Sequence, residues 1–80
     1  MSYHLSNIPK GTLGEASKIT EEYLEFIDSL SQGNKVMSLL ELSDLLGAIE
    51  KYAENFGFSL RDLEIMKCST ERAFISGARS

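Results

Sequence analysis

The chain has 80 residues, 42% of them hydrophobic, a net charge of −4 and a single cysteine. That length holds one small domain at most, and a lone core of this size is marginal enough that oligomerisation is a common remedy. The hydrophobic fraction excludes a disordered chain, the negative charge without a basic block argues against a nucleic-acid grip, and one cysteine excludes an intrachain disulfide or a Cys-rich zinc site.

Residues 1–11 read as an extended N-terminal arm, because Pro9, the only proline, disfavours helix around it. Met1-Ser2-Tyr3-His4-Leu5 lacks the basic and apolar runs of a secretory signal. No stretch approaches the ~20 apolar residues that span a membrane, so a cytoplasmic protein without a membrane partner is expected.

Residues 12–80 form the domain. From Thr12 the pattern turns helical, with Ala16, Ile19, Tyr23, Phe26, Ile27 and Leu30 recurring at steps of three and four. Thr12 or Ser17 is expected to cap the start, and Gly33-Asn34 to supply a left-handed stop. A second helix is predicted from Lys35 to Phe56, its main apolar face formed by Leu42, Leu45, Leu46, Ile49, Tyr52, Ala53 and Phe56, with Gly57 as C-cap. Val36, Met37, Leu39 and Leu40 spread that surface round its first turns, so the helix needs cover on more than one side, most simply from a second subunit.

Ser59 opens a third helix, with Asp62 at its third position as a weaker form of capping box. Leu60, Leu63, Met66, Thr70, Ala73 and Phe74 are its expected inner face, Cys68 is expected to be half-buried, and residues 76–80 read as a tail. The fold class is all-α: three main helices, assembling with other copies into a larger bundle.

Two acidic pairs stand out: Glu22-x-x-Glu25 in the first helix and Glu41-x-x-Asp44 in the second. A spacing of three puts both acids of a pair on one side of a helix, where like charges repel. At about 100° per residue, Glu22 lies about 85° and Glu25 about 145° from the first apolar stripe. Glu41 and Asp44 lie about 90° and 150° from the second. Both pairs therefore sit on a shoulder of the expected core, and packed antiparallel helices would bring them together.

Four converging carboxylates need a counter-charge, and a hard divalent cation is the simplest one. The only histidine, His4, lies in the arm, outside both pairs. An all-oxygen set favours Mg²⁺, with Mn²⁺ as substitute, over zinc or iron. The opposing reading is that these are solvated faces of a non-catalytic helical module.

Glu-x-x-Glu at 22–25, a gap from Phe26 to Leu40 and Glu-x-x-Asp at 41–44 resemble the MazG-like all-α nucleoside triphosphate pyrophosphohydrolases, relatives of dimeric dUTPases and phosphoribosyl-ATP pyrophosphohydrolase. Leu13-Gly14-Glu15, Lys18-Ile19-Thr20-Glu21-Glu22 and Arg72-Ala73-Phe74 add context, so the likeness covers roughly residues 11–80. The resemblance implies a dimer or tetramer that hydrolyses a ribo- or deoxyribonucleoside triphosphate to the monophosphate and pyrophosphate. It implies Glu22, Glu25, Glu41 and Asp44 as metal ligands, Glu21, Glu22 or Glu25 as the acid that orients water, and Lys18 and Lys67 as nucleotide contacts. The chain departs from the family at Cys68-Ser69-Thr70, where an Asn is expected; a relative that binds nucleotide without turning it over is the alternative.

Overall fold

The computed structural model of the chain describes residues 7–77. They form three helices, α1 (Ala16–Ser31), α2 (Lys35–Glu54) and α3 (Leu60–Ser76), with no strand among them. The fold is all-α, as expected. No described helix is long and apolar enough to cross a membrane. His4 and the end of the tail, from Ala78, lie outside the described residues.

The helix boundaries follow from local chemistry. Gly33 takes φ +68°, and the Asn34 side chain accepts the Met37 N–H at 3.0 Å, so one short turn ends α1 and caps α2. At α3 the capping box is complete rather than weak: Ser59 Oγ accepts the Asp62 N–H at 3.1 Å, and Asp62 accepts the Ser59 N–H at 2.8 Å. Those bonds to Ser59 hold the Asp62 carboxyl below its ordinary pKa.

The start of α1 differs from the expectation. Its N-cap is Glu15, without a side-chain bond. Ser17 lies inside the first turn and accepts the Thr12 N–H at 3.0 Å, so it ties down the preceding segment instead of capping the helix. That segment runs tight against α1, because a Cβ at Gly11 would overlap the Ser17 carbonyl.

α1 and α2 form an antiparallel hairpin. Near the connecting loop the buried Ser29 and Ser38 hydroxyls meet at 3.0 Å, each also bonding a backbone carbonyl one turn away. At the open end the Asn55 amide donates to the Gly14 carbonyl at 2.6 Å.

The packing overturns the expected orientation of the helix faces. Among the described residues only Ala48 and Ala53 are buried apolar side chains, whereas Glu21, Glu22, Asp28, Ser29, Ser38 and Glu41 are buried. Tyr23 and Leu30, the expected centre of the first stripe, are half exposed, as are Leu42, Leu46 and Phe56 of the second. Small residues at the crossing bring the two helices together on their acidic face, which leaves part of each apolar stripe exposed, while Ile19 and Phe26 of the first and Leu45, Ile49 and Tyr52 of the second are half-buried. α3 has no fully buried residue, but Leu60, Leu63, Thr70 and Ala73 of its expected inner face are half-buried, while Met66 and Phe74 are exposed. The Cα radius of gyration, 14.6 Å, exceeds the ~12 Å of a compact domain this size.

Candidate metal centre

Helix spacing and the hairpin crossing together assemble the acids. Glu22, Glu41 and Asp44 each present a carboxylate oxygen, all within 4.8 Å of one another, and so do Glu21, Glu22 and Glu25. Glu22 belongs to both triads and joins them. The four acids expected to share a cation are thus gathered in one region, with Glu25 grouped through Glu22 rather than directly with Glu41 and Asp44.

Their burial departs from the expected shoulder position. Glu41 is 1% exposed and Glu22 7%, Glu25 is half-buried, and Asp44 is exposed. The cause is the small-residue crossing, which turns this face inward in place of part of the apolar stripes.

Two cations approach from the N-terminal side. The Lys18 ammonium lies 3.2 Å from Glu21 and 3.3 Å from Glu22, and Lys10 lies 3.9 Å from Glu21. Burial works against the Lys18 charge, but the two hydrogen-bonded carboxylates outweigh it and hold its pKa above the ordinary value. Glu21 also accepts the Gly11 N–H at 2.7 Å. That bond is the main reason its pKa is lowered, with Lys18 and Lys10 adding to the effect against burial. Glu21 therefore acts as a clamp that holds the 10–12 segment on α1.

Glu22 goes the other way. Burial and the neighbouring Glu25 carboxyl raise its pKa, and Lys18 only partly offsets them. Its second oxygen is buried with no hydrogen-bond partner. An orphaned carboxylate oxygen inside an all-oxygen triad fits a hard divalent cation, which would supply the missing partner and favour the charged form.

The opposite shifts carry opposite pH signs. With its folded pKa lowered, Glu21 contributes stability that is present above the ordinary value of 4.5 and is lost as pH falls through the lowered pKa. With its folded pKa raised, Glu22 favours the fold below 4.5 and that contribution is lost as pH rises through the raised pKa. Glu21→Gln keeps the shape of the clamp and removes its charge. It is expected to cost about 1 kcal/mol at neutral pH, the gap between charged and neutral hydrogen bonds. Thermal melts at a series of pH values should show the difference from wild type closing below 4.5; a constant difference would separate the clamp from the Glu21 charge.

A cleft of 320 Å³ opens beside the acids, lined by Lys18 and Glu22 from α1 and by Asp44, Gly47, Ala48 and Lys51 from α2, among others. Sequence reasoning did not assign Lys51, although its position two turns after Asp44 puts it on the same side of the helix. Lys67 is placed elsewhere, in a separate 590 Å³ groove with Leu46, Ile49, Leu60 and Leu63, and pairs with Glu71 at 3.9 Å. Cys68 is exposed rather than half-buried, because it lies on the opposite side of α3 from the half-buried Leu60, Leu63, Thr70 and Ala73. Tyr52 and Phe56 meet edge to face at 5.4 Å.

Comparison with known protein families, characterised proteins and solved structures returned no match to this chain.

Proposed function

We propose that the chain is a Mg²⁺-dependent nucleoside triphosphate pyrophosphohydrolase whose site is the Glu22–Glu41–Asp44 triad with Glu25 beside it. The observation that carries this reading is the convergence of three carboxylates from two helices within 4.8 Å, next to a cleft that also holds lysines. The likeness of the two acidic motifs to MazG-like enzymes supplies the reaction. The cytoplasm, where nucleoside triphosphates and magnesium are abundant, is the setting this function implies.

In this reading Glu22, Glu41 and Asp44 hold the cation, which would polarise the phosphates and lower the pKa of an attacking water. Water attacks the α-phosphorus, the new P–O bond forms, and the α–β bridging bond breaks to release pyrophosphate. Glu25, half-buried beside Glu22, is the carboxylate assigned to orient that water and accept its proton. Glu21 is committed to the Gly11 clamp and positions α1 instead. Lys18, fixed between two acids at the cleft wall, meets phosphate charge.

Self-association belongs to the same proposal. Leu39, Leu42 and Leu46 of α2 are exposed by 68%, 42% and 48%. Phe26, Leu30, Leu39 and Leu42 line an apolar groove of 480 Å³. A second copy of the chain is the occupant that resolves the missing core. This surface also favours the rival reading, a helical module that assembles without catalysis. Pyrophosphate release from a panel of ribo- and deoxyribonucleoside triphosphates, with and without Mg²⁺, separates the two and identifies the preferred base and sugar. Release that needs Mg²⁺ is expected; none from any nucleotide leaves the assembly module standing.

A further inference from the structure

Two features of the cleft beside the acids have no explanation in the packing of the chain. The first is Gly47, in the interior of α2 and on the cleft wall three residues past Asp44. Its φ is not positive, so the backbone does not call for glycine there. A Cβ at Gly47 would meet no atom of the described residues within 4 Å, so close packing does not call for it either. Glycine in a helix interior nevertheless weakens the helix relative to alanine. Its bare backbone is a stretch of cleft wall that a group from outside the chain can approach closely.

The second is the turn at residues 12–15, just before α1. The Glu15 N–H donates to the Thr12 carbonyl at 2.9 Å, and Gly14, at φ +95°, takes the left-handed position of the turn. Three further bonds fix this segment: the Gly11 N–H to Glu21 and the Thr12 N–H to Ser17 on α1, and the Asn55 amide at the end of α2 to the Gly14 carbonyl. A turn tied to both helices buries no large side chain of its own. Its tip is Leu13, 59% exposed and the one large apolar residue among those lining the cleft.

The charged lining does not tell one phosphate compound from another. Glu22, Asp44 and Glu50 are acidic, and both lysines are paired already, Lys18 with Glu21 and Glu22, Lys51 with Glu54. A cation held by the acids binds any polyphosphate through its oxygens. The organic part of a ligand is recognised by apolar contact and by shape, and Leu13 and Gly47 supply one of each. Gly47 lies about 4.5 Å along the helix axis from Asp44, so a group bonded to a phosphorus at the acids falls beside it.

We propose that Leu13 and Gly47 form a nucleoside subsite, in which sugar and base lie against the bare backbone of α2 and Leu13 closes over them. The subsite selects a nucleoside triphosphate over an inorganic polyphosphate. This inference rests on the reading of Glu22, Glu41 and Asp44 as a cation site, and adds the residues that read the organic half of the substrate.

The test uses Gly47→Ala, Leu13→Ala and Leu13→Met. Calorimetry measures Mn²⁺ binding first. Binding of inorganic tripolyphosphate and of the α,β-imido analogues of ATP, GTP, dCTP and dUTP to the Mn²⁺-loaded protein follows. The wild type is expected to bind at least one analogue about tenfold tighter than tripolyphosphate. Gly47→Ala is expected to melt about 4–8 °C higher without ligand, because alanine is the better helix former. It is expected all the same to lose about tenfold in analogue affinity, with Mn²⁺ and tripolyphosphate binding as in the wild type. Leu13→Ala is expected to show the same loss at an unchanged melting temperature, and Leu13→Met to recover it. Full analogue affinity in Gly47→Ala or Leu13→Ala overturns the subsite, as does equal wild-type affinity for tripolyphosphate and every analogue. A changed sedimentation rate in either alanine variant also overturns it, by giving that surface to a second copy. Absence of Mn²⁺ binding to the wild type overturns the cation site instead, before any nucleotide is added.

Discussion

Glu41→Gln is expected to abolish Mg²⁺-dependent pyrophosphate release while leaving the helices intact. Glu41 is the most deeply buried of the acids, 1% exposed, and shares its triad with Glu22 and Asp44. Glutamine matches its shape, so the crossing beside Ala48 keeps its packing. What changes is one negative charge at the cation. Loss of a partner one shell further from a metal already costs about 10–100-fold, so loss of a direct ligand is expected to cost more than about 100-fold. Rate and stability are independent readouts. If it binds only the folded state, magnesium at ten times its dissociation constant is expected to stabilise the wild type by about 1.4 kcal/mol. In a domain of this size that raises the melting temperature by about 6–11 °C. The variant is expected to show no such rise. A Glu41→Gln protein that melts higher with magnesium and turns over nucleotide at the wild-type rate would remove Glu41 from the site.

The acidic pairs were legible because a spacing of three leaves no choice of side: Glu22 and Glu25, or Glu41 and Asp44, share a helix face wherever the helix packs. Gly33 and the Ser59–Asp62 box were legible for a similar reason, being set by local geometry. The most deeply buried face of α1 and of α2 was not, whereas the half-buried Leu60, Leu63, Thr70 and Ala73 of α3 lie on its expected inner face. Periodicity finds the apolar stripe and assumes that the partner helix of the same chain covers it. Here α1 and α2 meet through Ser29, Ser38 and Ala48, and Tyr23, Leu30 and Leu42 are left outside. Small residues carry little weight in a hydrophobic pattern, yet they decide how closely two helices approach. The Glu21 clamp was hidden as well, because its partner is a backbone N–H ten residues away. Lys51 was on the right face to be noticed, but among scattered lysines only the cleft singles it out.

Leu42→Glu is expected to dissociate the assembled protein and to unfold much of it in the same step. Burying a Leu side chain contributes about 1.5–3 kcal/mol, and a domain's whole stability is only about 5–15 kcal/mol. Within one chain just two alanines are fully buried apolar residues among those described, the larger ones such as Phe26, Leu45, Ile49 and Leu63 being only half-buried, against fifteen exposed large apolar side chains. The hairpin's hydrogen bonds and capped ends contribute roughly 1 kcal/mol each at most, far short of the entropy of ordering the chain. In the proposed assembly the remaining stability is expected to come from contacts between copies, which would make folding depend on concentration. Leu42 lines the Phe26–Leu30–Leu39 groove and is not a member of the Glu22–Glu41–Asp44 triad, so a charge there strikes the apolar surface and removes none of the three acids. Sedimentation should show the wild type as a dimer or tetramer and the variant shifted toward monomer. Circular dichroism should show helix lost in the variant, and lost from the wild type on dilution. A wild type that stays monomeric and fully helical on dilution would mean that one copy of this nearly coreless hairpin supports itself.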